Sequence, residues 1–184
     1  MSDDAFAELC AAHPDVVFEI TADHELIVRP PKFTLTGIRN REILAQLDRW
    51  AVADGRGISA DASAGFVLPN GARRSPDASW IPMSVVEAVD AAAMNRYWHV
   101  CPAFVVELRS PTDRLPALRE KMREWVENGA ELAWLVDPER RVVEVYRAGR
   151  EPETVSGAEF VEGEGSVAGF RLGLARVWEP LGKR

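Results

Sequence analysis

The chain has 184 residues, of which 47% are hydrophobic, so it is long enough for one compact domain with a substantial core. Its net charge of -7 argues against a protein that coats nucleic acids without specificity, although a local basic patch stays open. No apolar run approaches the roughly 20 residues of a membrane span, and the acidic start MSDDAFAELC differs from a secretory signal, so we expect a cytoplasmic protein without membrane contact. The two cysteines, Cys10 and Cys101, suggest neither a disulfide framework nor a zinc site, and both are expected to be small buried side chains.

The N-terminal part of the chain predicts a helix, a hairpin and a longer helix. Residues 3–12 have helical spacing, and VVFEI and ELIVRP predict two strands around the turn TADH. PPKFTLTG predicts a loop, and a helix with an apolar stripe is expected from about Ile38 to DGRG. We expect the N-terminal helix and hairpin, about residues 3–30, to pack onto the core of a single domain, residues 1–184.

The middle of the chain places a carboxylate at a strand. FVLPNGARRSPDASWI predicts two short extended segments joined by a loop with an Asn-Gly turn, and Asp77 falls at or just inside the second segment. SVVEAVDAAAMN has the capping-box spacing of Ser84 and Glu87 and predicts a helix. AFVVEL is a continuous apolar run typical of a buried strand, and Glu107 lies near its exit.

The rest of the chain predicts one more long helix and further strands. The helix is expected from about Arg114 to Asn128, with Asp113 as its N-cap and Gly129 as its stop. ELAWLV and RVVEVYR predict two strands around DPER, and the C-terminal third ends in VAGFRLGLARVW. The predicted class is α/β or α+β, with a central mixed sheet flanked by helices.

Three features converge on one chemistry. Asp77 and Glu107 lie at neighbouring strand ends, and the helix that follows carries Arg119, Lys121 and Arg123. Two carboxylates can share one divalent cation that keeps open positions for water and a substrate phosphate. A nearby lysine or arginine can stabilise developing charge or help to deprotonate the attacking water. Together these features are typical of a metal-dependent phosphodiesterase.

Each of these residues also has an ordinary structural interpretation. An aspartate after a proline, such as Asp77, commonly belongs to a turn. Strand ends often emerge into water, which would account for Glu107, although a buried charge there would need a partner or a metal. Lys121 lies near the edge of an apolar helical stripe, where lysines extend along the surface towards solvent. The local pattern alone leaves both interpretations open.

The order of three segments closely resembles the Uma-two family of bacterial proteins, which have a restriction-endonuclease-like PD-(D/E)xK fold. The segments are GFVLPNGARRSPDASW, FVVELRSPTD and LREKMREWVENGAELAWLVDPE, and the resemblance runs from about Glu19 to Trp178. It implies that Asp77 and Glu107 are metal ligands. It also implies that the lysine of the classical motif has moved to the next helix, where KMREW supplies Lys121.

The chain departs from the family pattern at two places. Arg109 stands where the classical motif has a lysine, so it is a candidate for a phosphate contact or a surface residue. Many members carry a histidine at the start of the first long helix, where this chain reads LTGIRN. Arg39 and Asn40 could point towards the site from there, although core hydrogen bonding is the favoured role of Asn40.

The resemblance and the residues together predict a Mg²⁺- or Mn²⁺-dependent endonuclease that acts on DNA. Asp77, Glu107 and Lys121 are its expected catalytic residues, with Arg109, Arg39 and Asn40 as possible supporting contacts. A homodimer is expected, because two sites related by a two-fold axis cut both strands of a duplex most simply. The alternative is a nucleic-acid-binding or protein-interaction module that retains the fold without catalysis.

Overall fold

The computed structural model describes residues 1–29 and 31–182, in which helices are separated by single strands or by runs of strands. In chain order they are α1 (Asp3–Ala12), β1 (Val17–Ile20), β2 (Leu26–Arg29), α2 (Thr34–Asp54), β3 (Gly57–Asp61), β4 (Phe66–Val67), β5 (Arg73–Arg74), β6 (Ala78–Pro82), α3 (Met83–Ala88), β7 (Phe104–Leu108), α4 (Leu115–Glu127), β8 (Leu132–Asp137), β9 (Val142–Arg147), β10 (Glu153–Ser156), β11 (Phe160–Glu162), β12 (Arg171–Gly173) and α5 (Ala175–Trp178).

A central six-stranded sheet organises the molecule. Its strand order is β10-β9-β8-β7-β6-β3, and β7 and β8 are parallel while the other neighbours are antiparallel. The prediction of a mixed α+β fold with a central mixed sheet is therefore confirmed. Strand β7 lies inside this sheet, and each of its five residues is buried, as its continuous apolar run predicts.

The two faces of the central sheet are covered by different helices. Helix α2 packs on one face, where alternate residues of β7 such as Phe104 and Val106 join the larger hydrophobic cluster. Helix α4 covers the other face, where Val105 packs with Met122 and Trp125. Because side chains alternate along a strand, Glu107 shares the α4 face with Val105. This alternation directs the carboxylate of Glu107 towards α4.

The N-terminal hairpin belongs to a second sheet. Strands β1 and β2 are antiparallel, as predicted, and the order of this four-stranded sheet is β2-β1-β5-β4. Ile20 of β1 pairs with Arg73 of β5, so the hairpin adjoins the segment that leads to Asp77. Residue 30, where the hairpin was predicted to end, and residues 183–184 of the predicted domain lie outside the described residues.

Three element boundaries differ from the prediction, and one of them is the end of α3, which lies at Ala88 and not near Asn95. Helix α2 begins at Thr34 rather than near Ile38, because weak helix formers in TLTG hide its first turn from the sequence pattern. Buried Thr36 nevertheless packs there, with its hydroxyl 3.5 Å from that of Ser110. The second predicted extended segment, which contains Trp80, forms two strands in different sheets, β5 and β6. They are separated at Pro76, which has no N–H to donate to a ladder. Strand β3 was not predicted.

Both predicted N-caps are wrong. Helix α3 has Pro82 at its N-cap position, so Ser84 lies inside the first turn and forms no capping bond. Helix α4 has Arg114 at its N-cap position. The carboxylate of Asp113 instead accepts a hydrogen bond of 2.7 Å from the backbone N–H of Ser110, which closes the turn between β7 and α4. Gly129 follows α4 with a positive φ of 119°, in agreement with its predicted role.

Two smaller features concern the cysteines and the hydropathy of the helices. Cys10 and Cys101 are both free thiols, but each is half-buried rather than fully buried. Across residues 1–29 and 31–182, no helix combines the length and the apolar character that crossing a bilayer requires.

Candidate active site

Asp77 lies directly before β6 and closes the end of the ladder with β7. The register pairs Ala78 with Val106, and its extension by one residue sets Asp77 opposite Glu107, on the same face of the sheet. Oδ2 of Asp77 accepts a hydrogen bond of 2.7 Å from the backbone N–H of Leu108. Its other oxygen, Oδ1, accepts a bond from the ammonium group of Lys32. The carboxylate is buried, and each of its two oxygens accepts a hydrogen bond.

Glu107 is 1% exposed and lies beneath α4. Its Oε1 accepts a hydrogen bond of 3.1 Å from the indole N–H of Trp125. The same oxygen lies 2.6 Å from Nζ of Lys121. Both partners come from α4, one turn apart, so the apolar stripe of this helix carries a polar pair at the point where it crosses the end of β7.

Lys121 is a buried residue, and the surface interpretation of this lysine is therefore wrong. Its side chain is 4% exposed and lies between two carboxylates, with Nζ 2.8 Å from Oε1 of Glu19 and 2.6 Å from Oε1 of Glu107. It also donates to the carbonyl oxygen of Ser75 at 3.3 Å. The sequence predicted Asp77, Glu107 and Lys121 as one group, and the structure brings the three side chains together.

Glu19 is a member of this cluster that sequence reasoning missed. It is fully buried on β1, and beside Lys121 it binds Arg74 at 3.2 Å and Arg29 at 3.3 Å. Burial alone would raise the pKa of Glu19, but the charges of Lys121, Arg29 and Arg74 outweigh it and lower the pKa to about 2. In the sequence Glu19 alternates with Phe18 and Ile20, a pattern that predicts a solvent-facing residue of a hairpin.

The pKa of Glu107 is shifted in the opposite direction. Burial raises it most, and the negative charges of Asp77 and Glu19 add to the rise, while Lys121 and Arg29 oppose it. Repulsion from Asp77 and Glu19 therefore adds to burial in holding the pKa of Glu107 above its ordinary value, against the attraction of Lys121 and Arg29.

The donor set fits a divalent cation held by few protein ligands. Mg²⁺ and similar ions are often bound by one or two carboxylates together with waters and substrate phosphates. Asp77 and Glu107 supply two such carboxylates, and each already binds the cationic group of a lysine. No group of three or more His, Cys, Asp or Glu side chains in the described part of the chain is arranged to hold a metal ion. The cluster therefore suits a cation with open coordination positions and not a fully enclosed one.

The other predicted residues contact different parts of the molecule. Arg109 forms ion pairs with Asp137 at 2.9 Å and Glu139 at 3.1 Å. Arg39 donates to the carbonyl oxygens of Val177 and Trp178 at 3.0 and 3.3 Å. The side-chain oxygen of Asn40 is buried and finds no hydrogen-bond partner among the described residues, so its favoured role in core hydrogen bonding is not seen at this atom. Roles for Arg109, Arg39 and Asn40 at the site remain predictions.

The fold is shared with a solved structure. A crystal structure described as "a putative nuclease belonging to DUF820", from Anabaena variabilis ATCC 29413, superposes with a TM-score of 0.81 over 97% of this chain and 98% of that chain, at 16% sequence identity. At this identity the similarity concerns the fold alone. A cryo-electron microscopy structure of a DrdV–DNA complex matches with a TM-score of 0.37 and 14% identity, over 65% of this chain and 12% of that chain. A search of curated proteins finds no match.

Family membership rests on the sequence itself. The model of the Uma2 family, described as "Putative restriction endonuclease", matches residues 3–175, which include the hairpin, the central sheet and both long helices. This match confirms the resemblance carried by the segments around Asp77, Glu107 and Lys121, and the mixed fold agrees with it. The chain belongs to the Uma2 family of restriction-endonuclease-like proteins.

Proposed function

We propose that this protein is a Mg²⁺- or Mn²⁺-dependent endonuclease that hydrolyses phosphodiester bonds in DNA. The observation that supports this function most strongly is the convergence of Asp77, Glu107 and Lys121 at one end of the central sheet, in a member of a restriction-endonuclease-like family. Two adjacent carboxylates can hold a cation and a nearby lysine can stabilise charge on the phosphate, which are two functions that metal-assisted phosphoryl transfer uses.

Asp77 and Glu107 would bind the cation. Oδ2 of Asp77 is fixed by the N–H of Leu108, so Oδ1 is the oxygen that would face a ligand. The indole of Trp125 orients the carboxylate of Glu107. When bound, Mg²⁺ or Mn²⁺ would supply Lewis-acid chemistry, since it polarises a phosphate oxygen and lowers the pKa of water.

Lys121 would stabilise the negative charge that develops on the phosphate. Its ammonium group is held in place by Glu19 and by the carbonyl oxygen of Ser75, so it would act on the phosphate through its charge from a fixed position. Glu19 acts through Lys121 and is therefore a positioning residue in this proposal. This role gives the N-terminal hairpin a function, because β1 supplies Glu19 and β2 supplies its partner Arg29.

The assembly that we propose is a homodimer of a single-domain chain. Each chain offers one site, and a two-fold pair of sites would cut both strands of duplex DNA. The hairpin of residues 17–29 would form part of that one domain, since its buried Glu19 bonds to Lys121 on α4.

Cleavage of labelled single-stranded, duplex and branched DNA with Mg²⁺ or Mn²⁺ tests the proposal. We expect the wild type to cut at least one of these substrates, and Glu107→Gln to leave all of them intact. A Glu107→Gln protein that cuts as fast as the wild type would remove Glu107 from the metal site. A wild type that cuts nothing and binds neither ion would contradict the nuclease assignment.

A second candidate is a binding module that keeps the fold without catalysis. The observation in its favour is that lysine ammonium groups already bind both candidate ligands, Lys32 on Asp77 and Lys121 on Glu107. Calorimetric titration with Mg²⁺ and Mn²⁺ separates the two candidates. Binding that is lost in Asp77→Asn and Glu107→Gln favours the nuclease, whereas DNA binding without any metal binding favours the module.

A further inference from the structure

Lys32 is a cation at the site that neither the family motif nor the proposed mechanism uses. It lies between β2 and α2, and its ammonium group bonds to Oδ1 of Asp77. The other oxygen of that carboxylate is occupied by the N–H of Leu108 at 2.7 Å. Lys32 therefore holds the one oxygen of Asp77 that would be available to a metal ion.

The two lysines of the site are held very differently. Lys121 is 4% exposed and contacts Glu19, Glu107 and the carbonyl oxygen of Ser75. The side chain of Lys32 is 30% exposed, and the ion partner found for it among the described residues is Asp77. A long side chain with one partner and access to solvent can change that partner at little cost, whereas Lys121 would have to break a buried network.

We propose that Lys32 is a substrate-contacting residue, which exchanges Asp77 for a phosphate oxygen of the nucleic-acid backbone when a divalent cation binds Asp77. The inference rests on the proposed function. An ammonium group and a divalent cation on one carboxylate oxygen repel each other, so occupation of Oδ1 by the cation releases Lys32. The released group stays tethered within a side-chain length of Asp77, where the open positions of the cation would receive the substrate phosphate. Lysine is well suited to that phosphate as a mobile point charge.

This exchange predicts effects of opposite sign on two ligands. Removing the charge of Lys32 removes a competitor for Asp77, so metal binding becomes tighter. It also removes a phosphate contact, so nucleic-acid binding becomes weaker. A purely structural salt bridge between Lys32 and Asp77 would not give this combination. Its loss would disturb Asp77 and weaken the binding of both the metal ion and the nucleic acid.

The variants are Lys32→Met, which keeps the length of the side chain, and Lys32→Arg, which keeps its charge. Arg150→Ala is the matched control, since it removes one positive charge from the exposed turn between β9 and β10. Calorimetric titration with MgCl₂ and MnCl₂ in the absence of DNA is the first measurement. We expect Lys32→Met to bind either ion about five- to tenfold more tightly than the wild type, and Arg150→Ala to match the wild type.

The second measurement is the affinity for a labelled DNA duplex in Ca²⁺, followed by anisotropy. Lys32→Met should bind the duplex about tenfold more weakly than the wild type, whereas Lys32→Arg should keep most of the wild-type affinity. Metal affinity that is unchanged or weaker in Lys32→Met overturns the inference, and so does tighter metal binding with unchanged DNA affinity. A wild type that binds no divalent ion overturns the proposed function as well, which distinguishes that failure from a failure at Lys32 alone.

Discussion

Two buried glutamates in one row of the central sheet have opposite electrostatic environments. Glu107 on β7 is in register with Leu135 on β8, which is in register with Glu144 on β9. The two carboxylates are therefore two strand spacings apart, about 10 Å, and both lie under helix α4. The same helix supplies a basic residue to each of them, Lys121 to Glu107 and Arg119 to Glu144.

Glu144 is saturated with donors. It accepts hydrogen bonds from Arg119 at 2.9 Å, from the hydroxyl of Tyr146 at 2.9 Å and from Arg140 at 3.2 Å. The hydrogen bond from Arg119 lowers the pKa of Glu144 most, against the effect of burial. At Glu107, burial and the charges of Asp77 and Glu19 raise the pKa. Both carboxylates are buried, so the charged and hydrogen-bonding groups around each one, and not burial alone, determine the opposite directions of their pKa shifts.

The contrast between Glu107 and Glu144 is tested most directly by removing each charge and measuring cleavage of DNA. Glu107→Gln and Asp77→Asn should abolish metal-dependent cleavage, a loss of at least about a hundredfold, since each removes a ligand from the proposed metal site. Glu144→Gln should cleave DNA within about threefold of the wild type, because its partners on α4 and β9 do not touch that site. Equal losses of cleavage in all three variants would contradict this prediction, because they would show that each substitution disturbs the sheet as a whole and not one metal site.

Glu19 extends the comparison to stability and its dependence on pH. The pKa of Glu19 is lowered to about 2 in the folded protein, from an ordinary value near 4.5. A lowered pKa contributes stability above the unfolded value, and that stability is lost as the pH falls through the folded value. The contribution at neutral pH is about 3 kcal/mol and decreases between about pH 4.5 and pH 2.

Urea denaturation of Glu19→Gln and the wild type measures this contribution. We expect the variant to be less stable by about 3 kcal/mol at neutral pH, with a difference that narrows below about pH 4.5. If the free energy of unfolding differs by the same amount at every pH, the ion pairs of Glu19 are not the source of the effect.

Glu144→Gln and Glu107→Gln should rank in opposite orders for stability and for cleavage. Glu144→Gln should lose more stability, and Glu107→Gln should lose more activity. Glu144→Gln loses charged hydrogen bonds to Arg119 and Tyr146, so it should unfold with about 2 kcal/mol less free energy than the wild type. Glu107→Gln loses the attraction of Lys121 but also the burial cost of the charge and its repulsion by Asp77, which together outweigh that attraction and raise the pKa of Glu107, so its stability should stay within about 1 kcal/mol. Thermal or urea denaturation at neutral pH without metal tests this, and a large loss in Glu107→Gln together with none in Glu144→Gln would contradict it.

The raised pKa of Glu107 also predicts how metal affinity depends on pH. A cation has to displace the proton that Glu107 binds more tightly than usual, so the affinity for Mg²⁺ should fall as the pH falls. The limiting dependence is about tenfold per pH unit below the pKa of Glu107. Calorimetry over a series of decreasing pH values should show the decrease in the wild type and in Glu144→Gln. A wild-type affinity that does not change as the pH falls would contradict competition between the cation and a proton on Glu107.

The sequence predicted the elements whose pattern is local. The continuous apolar run of β7 and the apolar stripe of α4 predicted both elements, and Glu107 stands out in the sequence because a charge within such a run requires a partner. Lys121 entered through the family resemblance, since a lysine at the edge of a stripe has an ordinary surface interpretation. Its burial depends on Glu19, which comes 102 residues earlier in the chain.

Glu19 and Lys32 could not be predicted because their partners are set by the packing of the hairpin. Alternation along β1 gave Glu19 the pattern of an exposed residue, and the second sheet, which the sequence did not reveal, buries it instead. Lys32 follows two prolines in a loop, where no periodicity assigns a direction to a side chain. Contacts between separate sheets are long-range, so local residue patterns leave them undetermined.

The smallest expected effect concerns Arg109, at the position of the lysine in the classical motif. Its guanidinium is bound to Asp137 and Glu139, on the β8 side of Glu107, whereas Lys121 reaches Glu107 from α4. Arg109→Ala should therefore slow cleavage by less than about threefold, while Lys121→Ala should slow it by at least about a hundredfold. Steady-state kinetics on one duplex substrate measures both, and Arg109→Lys serves as the charge-preserving control. A loss in Arg109→Ala as large as that in Lys121→Ala would assign a catalytic role to Arg109 at the classical position, because an arginine engaged only in ion pairs with Asp137 and Glu139 has no contact through which to slow the reaction.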